Sequence, residues 1–496
     1  MSDASLESIQ HLIENSEKGL AQIEKILPTI LKMRQATEEA IKKQGGRDVL
    51  LELTLVVLDI LLAENEVTYD LSASLDALLK ATDDYSKRYY MQSLNLCFWE
   101  TCQLFVGEDG DENGLLTKLE QFAKQLNQAG CQFVARHIIN DIQEFRKDFC
   151  DRDLRNITRH YDDPIKMYER QRGLNDIDFF ARGVSQLMAI RMEVSLLSSF
   201  LLSLLTPIKK EPQNVASRPK CGLDFKGLMN DAIFKAFKER GLKYVVQRTL
   251  GKGQPSLDDC YGLYNKCLMA EELLKERDCP IPEEFKKMES LLRLRMETLF
   301  LRYDVACSIW GYLNAASDKE RSQNLRLLPI TKQAALTHIY GYTEKVKEKS
   351  LWAAIKRTAE LRSDKPDMNL VERSLKELTG NLNEDKDSSQ MFAHYRFKQD
   401  FYIPARLEAF EKMEHHKELI DAMKLLSVCS DLEGYTTRSL YCINEEQEQE
   451  RKKRLIEWND RIEGLVSKTG NNERVKEALK PLRDLVEMVY GDTKPR

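Results

Sequence analysis

Proline and glycine are scarce in this chain, at 13 and 22 of 496 residues. Runs of alternating β-branched residues bounded by turn formers are nearly absent as well, which excludes a sandwich, a barrel or a propeller. Long apolar runs are also missing. Residues 49–63 are interrupted by Glu52 and Asp59, and residues 194–205 follow Arg191 and Glu193. A membrane span needs roughly 20 apolar residues, so both stretches are predicted to be buried core helices and no membrane partner is expected. The opening MSDASLESIQ is polar and acidic and does not read as a secretory signal. The eleven cysteines stand singly, without a CxxC pair, which suits free thiols in a cytoplasmic setting better than a disulfide framework or a zinc site.

Charge of one sign is lacking too. Eighty acidic against 75 basic residues give a net charge of −5, which argues against a chain that coats nucleic acid along its surface. Any contact with RNA would be a local patch. No GxSxG elbow, HExxH helix, EF-hand loop or paired-carboxylate signature is present. The GKGQPS stretch at 251–256 lacks the order of a phosphate-binding loop and reads as a short connection. His11, His137 and His338 have no partner spacing that suggests a site, and the adjacent His415 and His416 point about 100° apart on a helix. No metal and no cofactor is expected.

What is abundant is helical periodicity. Leu6, Ile9, Leu12 and Ile13, and later Leu116, Leu119, Phe122 and Leu126, recur at three- and four-residue spacing. The fold class predicted is all-α, built from helical bundles. The clearest break is PIKKEPQNVASRPKCGLDF at 207–225, which divides the chain into 1–206, a linker, and 226–496. The halves share a faint repeat. RYYMQSLNLCFWETC (88–102) resembles RYDVACSIWGYL (302–313), and a His-Tyr pair follows each, at 160–161 and 394–395. Trp99 and Trp310 are expected to be core anchors of the repeated helix.

One segment carries chemistry: DLRNITRHY at 153–161. Asp163 before Pro164 is a good N-cap and first-turn pair, so the segment is expected in the last turns of a helix that ends there. Asn156 and His160 are four apart and share a face, while Arg152, Arg155 and Arg159 form a basic stripe.

The string R-N-x-x-x-H, as Arg155, Asn156 and His160, resembles the signature of the HEPN superfamily. These are helical-bundle domains, many of them metal-independent ribonucleases of toxin–antitoxin, antiphage and RNA-processing systems. The resemblance implies two tandem HEPN-like units folded as an intramolecular pseudo-dimer. The second unit would be degenerate: aligning His394 with His160 puts Ser389 and Gln390 at the places of Arg155 and Asn156. It further implies that Arg155, Asn156 and His160 are catalytic, with no metal or cofactor. Arg152, Arg159, Tyr161 and His394 would bind RNA, and a protein antitoxin is a possible partner.

RNA can be cleaved by its own 2′-OH, given an acid–base near neutral pH, here His160. A fixed cation on the phosphate oxygens completes the requirement, here Arg155. On this reading His160→Ala or Arg155→Ala abolishes cleavage and leaves stability nearly unchanged. The alternative is a non-catalytic helical interaction or scaffold protein, in which the Arg/His cluster caps a helix or closes the contact between the halves.

Overall fold

A computed structural model describes residues 27–44, 48–107, 113–157, 163–205, 242–276, 280–315, 318–341, 350–360, 368–380, 396–397, 400–401, 403–413, 415–441, 445–468 and 473–490. The 207–225 linker and both His-Tyr pairs of the repeat lie outside these residues. Those described are helical almost throughout. The exception is a two-residue antiparallel pair, Arg396–Phe397 with Asp400–Phe401. The chain is all-α.

In the first half, α1 (27–44) precedes α2 (Val49–Lys80), α3 (Asp84–Val106), α4 (Leu115–Gln125), α5 (Ala129–Phe149), α6 (Arg152–Ile157), α7 (Pro164–Gly173) and α8 (Ile177–Leu205). The starts follow local chemistry. The Asp48 carboxylate accepts from the Leu50 and Leu51 amides, and that of Asp83 from Ser86. In α4 the spacing of Leu115, Leu116, Leu119, Phe122 and Ala123 makes one apolar face, and all five are buried. Each fully buried leucine of this kind contributes about 1.5–3 kcal/mol.

The second half contains α9 (Leu242–Leu250), α10 (Gly253–Glu276), α11 (Glu283–Asn314), α12 (Asp318–Tyr340), α13 (Leu351–Glu360), α14 (Asn369–Thr379), α15 (Ile403–Lys412), α16 (His415–Tyr441), α17 (Glu445–Lys468), α18 (Glu473–Ala478) and α19 (Lys480–Tyr490). Here α11 is the axis, with α9, α10, α12 and α16 packed around it. The charged α17 is not solvated all round. Trp458, Ile462 and Val466, four residues apart, are buried where it meets α19. The GKGQPS stretch is only partly a connection, because α10 begins at Gly253. A β-carbon there would stand 3.3 Å from the side chains of Tyr85 and Tyr303, so glycine allows the close approach.

The axis of the first half is α2, and α3, α4, α8, α12 and α15 pack against it. Surrounded in this way, α2 buries Glu64, Asn65, Glu66, Thr68, Asp70, Ser72 and Ser74 as well as its apolar residues. The two apolar runs singled out in the sequence fare differently. From Leu53 onward residues 49–63 are largely buried, as expected, while Leu50 stays exposed. The later run belongs to α8, whose segment Ile177–Leu202 is, among the described residues, long and apolar enough to cross a membrane. Less than half of its most apolar window is buried, and Met192, Leu196 and Phe200 are exposed.

The halves meet extensively. The two repeat segments lie side by side: the Tyr85 hydroxyl donates to Asp304 at 2.7 Å, and that of Tyr90 to the Cys307 carbonyl at 3.0 Å. Trp99 and Trp310 are both buried. Deeper, Arg406 of α15 reaches two carboxylates of α2. Its Nη2 is 3.0 Å from Asp70 Oδ2 and its Nε 3.4 Å from Glu66. Arg326 of α12 also pairs with Asp70. Burial pushes the Glu66 carboxyl up and the Arg406 guanidinium down from their ordinary values, against their mutual attraction.

Candidate functional site

α5 ends at Cys150, whose backbone is extended (φ −102°, ψ 120°). The described part of the motif, 153–157, therefore lies in a short helix of its own and not in the last turns of α5. A break with neither proline nor glycine needs another cause, and Asn95 of α3 supplies it. Its amide nitrogen donates to the Asp151 carbonyl at 2.9 Å, and its amide oxygen accepts from the Asp151 N–H at 2.9 Å. This buried two-point clamp holds Asp151 out of helical geometry. The Asp151 carboxylate then accepts from the Leu154 amide at 2.9 Å, capping α6, while Leu154 plugs into the interior.

Arg155 points inward from this turn. Its Nη2 donates to Glu100 Oε1 at 3.3 Å, and its guanidinium lies 5.5 Å from the centroid of Trp99. Arg146 covers the same indole at 4.6 Å. The Glu100 side chain is 4% exposed and that of Arg155 is 22%, so the pair closes a buried carboxylate with a partly open guanidinium. The stripe of three arginines is thus not one outward face, because Arg152 is exposed and Arg155 turns in. Asn156 is in α6 but its side chain is outside the described set. Arg159, His160, Tyr161 and His394 also lie outside the described residues.

Around the motif the charges balance. Arg170 pairs with Asp153 at 2.9 Å and approaches Asp151 at 3.9 Å. Arg293 of α11 approaches Asp163 at 3.7 Å. The expected start of α7 is correct: Asp163 caps it by accepting from the Lys166 amide at 3.2 Å, with Pro164 in its first turn. α7 then docks on the second half, where Tyr168 hydrogen-bonds Asp258 and stacks on Tyr261 with centroids 4.2 Å apart. The Tyr261 hydroxyl donates to Glu169 at 2.8 Å. The motif segment therefore runs from a clamp on the first half to a helix seated on the second.

Sequence reasoning missed Glu100, Trp99 as an arginine platform, and Asn95. None has a local signal, since each acts across more than 45 residues of chain. It also passed over His137, which does have a partner: Asp141 one helical turn on, 3.7 Å away. That spacing was legible. Among known proteins, no family model, no curated protein and no solved structure matches the chain.

Proposed function

We propose that the chain is a metal-independent endoribonuclease of HEPN type, working at the seam between its two helical halves in a cytoplasmic setting. The observation that supports this is the position of α6, clamped to α3, and of α7, which follows it in the chain and sits on α10 and α11. A cleft shared by two tandem HEPN-like units would lie at such a seam, with Arg155, Asn156 and His160 from one unit and His394 from the other. There the substrate's 2′-oxygen attacks the adjacent phosphorus and the bond to the 5′-oxygen breaks. His160 moves the proton, Arg155 binds the phosphate oxygens and Asn156 orients either group. Arg152 and Arg159 hold flanking phosphates, and Tyr161 stacks on a base. A toxin or antiphage role, held in check by a protein antitoxin, belongs to the same proposal.

The test is incubation of the purified chain with total RNA and tRNA in EDTA, beside His160→Ala. Fragments ending in 2′,3′-cyclic phosphate, absent with the variant, are the expected result. Equal cleavage by the variant sinks the reading.

The Arg155–Glu100 pair favours a second reading, a non-catalytic interaction or scaffold protein in which the motif closes the seam. Phosphate would have to compete with a buried carboxylate for Arg155, and the neighbouring Arg170 and Arg293 face acids too. Arg155→Ala no longer separates the two readings, because it leaves Glu100 buried without this partner in either case. His160→Ala does separate them. Scaffolding predicts a loss of about 1 kcal/mol or more in stability, and the nuclease predicts unchanged melting with lost cleavage.

A further inference from the structure

The outer face of the α5/α8 pair carries ligating side chains that neither reading uses. The two helices run antiparallel. Phe149 at the end of α5 packs on Phe179 near the start of α8 with centroids 5.0 Å apart. Further along, His137 and Asp141 of α5 stand opposite Glu193 of α8. Being four residues apart, His137 and Asp141 share one helix face. One ligand atom from each of the three residues lies within 4.8 Å of the other two.

His137 Nε2 and Asp141 Oδ2 are 3.7 Å apart. Two ligands held at about 2.0–2.1 Å by one tetrahedral Zn²⁺ are separated by roughly 3.4 Å. His137 and Asp141 therefore need only a small side-chain rotation to share an ion, while Glu193 has to close in from up to 4.8 Å; the His137 side chain is 63% and that of Asp141 30% exposed. Phe133, one turn before His137, and Met192 and Leu196, near Glu193 in sequence, are exposed apolar residues.

We propose that His137, Asp141 and Glu193 bind a divalent transition-metal ion of the Zn²⁺ class, which staples α5 to α8. One imidazole nitrogen with two carboxylates matches the charge of a dication. The imidazole selects for zinc and its neighbours over magnesium and calcium, which prefer an all-oxygen shell. Three ligands from two helices leave a coordination position open to solvent. The site is distinct from the arginine motif: from His137 to the end of α5 is a rise of about 18 Å. RNA cleavage in EDTA and metal binding here are thus independent, and either can fail without the other.

The experiment uses the full chain, stripped with EDTA and dialysed, titrated with Zn²⁺ by calorimetry at pH 7.5 and with Co²⁺ by absorption. The expected result is one tight ion per chain and a melting temperature raised by Zn²⁺. The Co²⁺ spectrum should lack thiolate charge transfer. His137→Ala and Glu193→Gln should each weaken binding well beyond the roughly 10–100-fold typical of an outer-sphere change. Both residues are exposed, so the metal-free variants should melt as the metal-free wild type does, which verifies their folding. Affinity unchanged in both variants, a thiolate band marking cysteine ligation, or Mg²⁺ binding as tight as Zn²⁺ would each overturn the proposal.

Discussion

Arg406 and Arg326 meet Glu66 and Asp70 in the interior, with side chains between 1 and 7% exposed, whereas Arg155 pairs with Glu100 while keeping 22% of its own surface open. Both arrangements set arginine against carboxylate, yet they differ in what they can do. The interior group is buried among α2, α12 and α15, so it holds helices in register. The Arg155 pair has one buried partner and one partly open one. Such a cation is fixed in place and still within reach of something arriving from solvent. Burial of the cation, not the presence of the pair, separates a structural role from one that could serve chemistry.

The largest effect should come from the interior group. Asp70→Ala leaves two buried arginines facing a vacancy and is expected to cost about 3–5 kcal/mol, read as a lower urea midpoint at unchanged slope. A loss under about 1 kcal/mol would mean that water reaches this group and would erase the contrast with Arg155.

Glu64 sharpens the comparison, because it lies on the same buried stretch of α2. Burial pushes its carboxyl up from 4.5 to about 8, with Arg191 opposing more weakly. Its folded value lies above its unfolded one, so the folded state binds the extra proton. The stability this gives is complete below about pH 4.5 and is lost as pH rises towards about 8, at no more than about 1.4 kcal/mol per pH unit. Asp59, raised to about 6 by burial against the pull of Arg34, tilts the profile the same way at lower pH. Chemical denaturation between pH 5 and 9 should show the decline, and Glu64→Gln should flatten its upper part. A profile identical to wild type would mean that Glu64 is hydrated.

The smallest effect is expected at the motif, where Arg155→Ala should cost about 1–3 kcal/mol by leaving Glu100 buried without it. Adding Glu100→Ala should recover part of that loss, giving a double-mutant coupling of at least about 0.5 kcal/mol. Strictly additive losses would show that Glu100 does not hold Arg155.

The sequence displayed the helical class, the core role of Trp99 and Trp310, and the start of α7 at Asp163–Pro164, because periodicity, bulk and capping are local properties. It hid the polar interior of α2. A helix carrying Glu64, Asn65, Glu66 and Asp70 looks half-solvated until the elements that cover it are known, and two of those, α12 and α15, come from residues beyond 317. The break at Cys150 was hidden for a similar reason, since its cause is Asn95, 56 residues from Asp151. At the candidate site the residue types could be read directly. The inward turn of Arg155 could not, because Glu100 draws it from a different helix.

The bond between Arg406 and Asp70 spans 336 residues. On a ribosome adding about 5–20 residues per second, Asp70 emerges roughly 15–70 s before its partner exists. Until then α2 carries acids that cannot be enclosed in their final surroundings, so the first half cannot reach its native interior during synthesis alone. Completion waits for residues 403–412 to arrive. A nascent chain stalled or truncated before them would leave Glu66 and Asp70 without Arg406, an incomplete state open to chaperones and proteases.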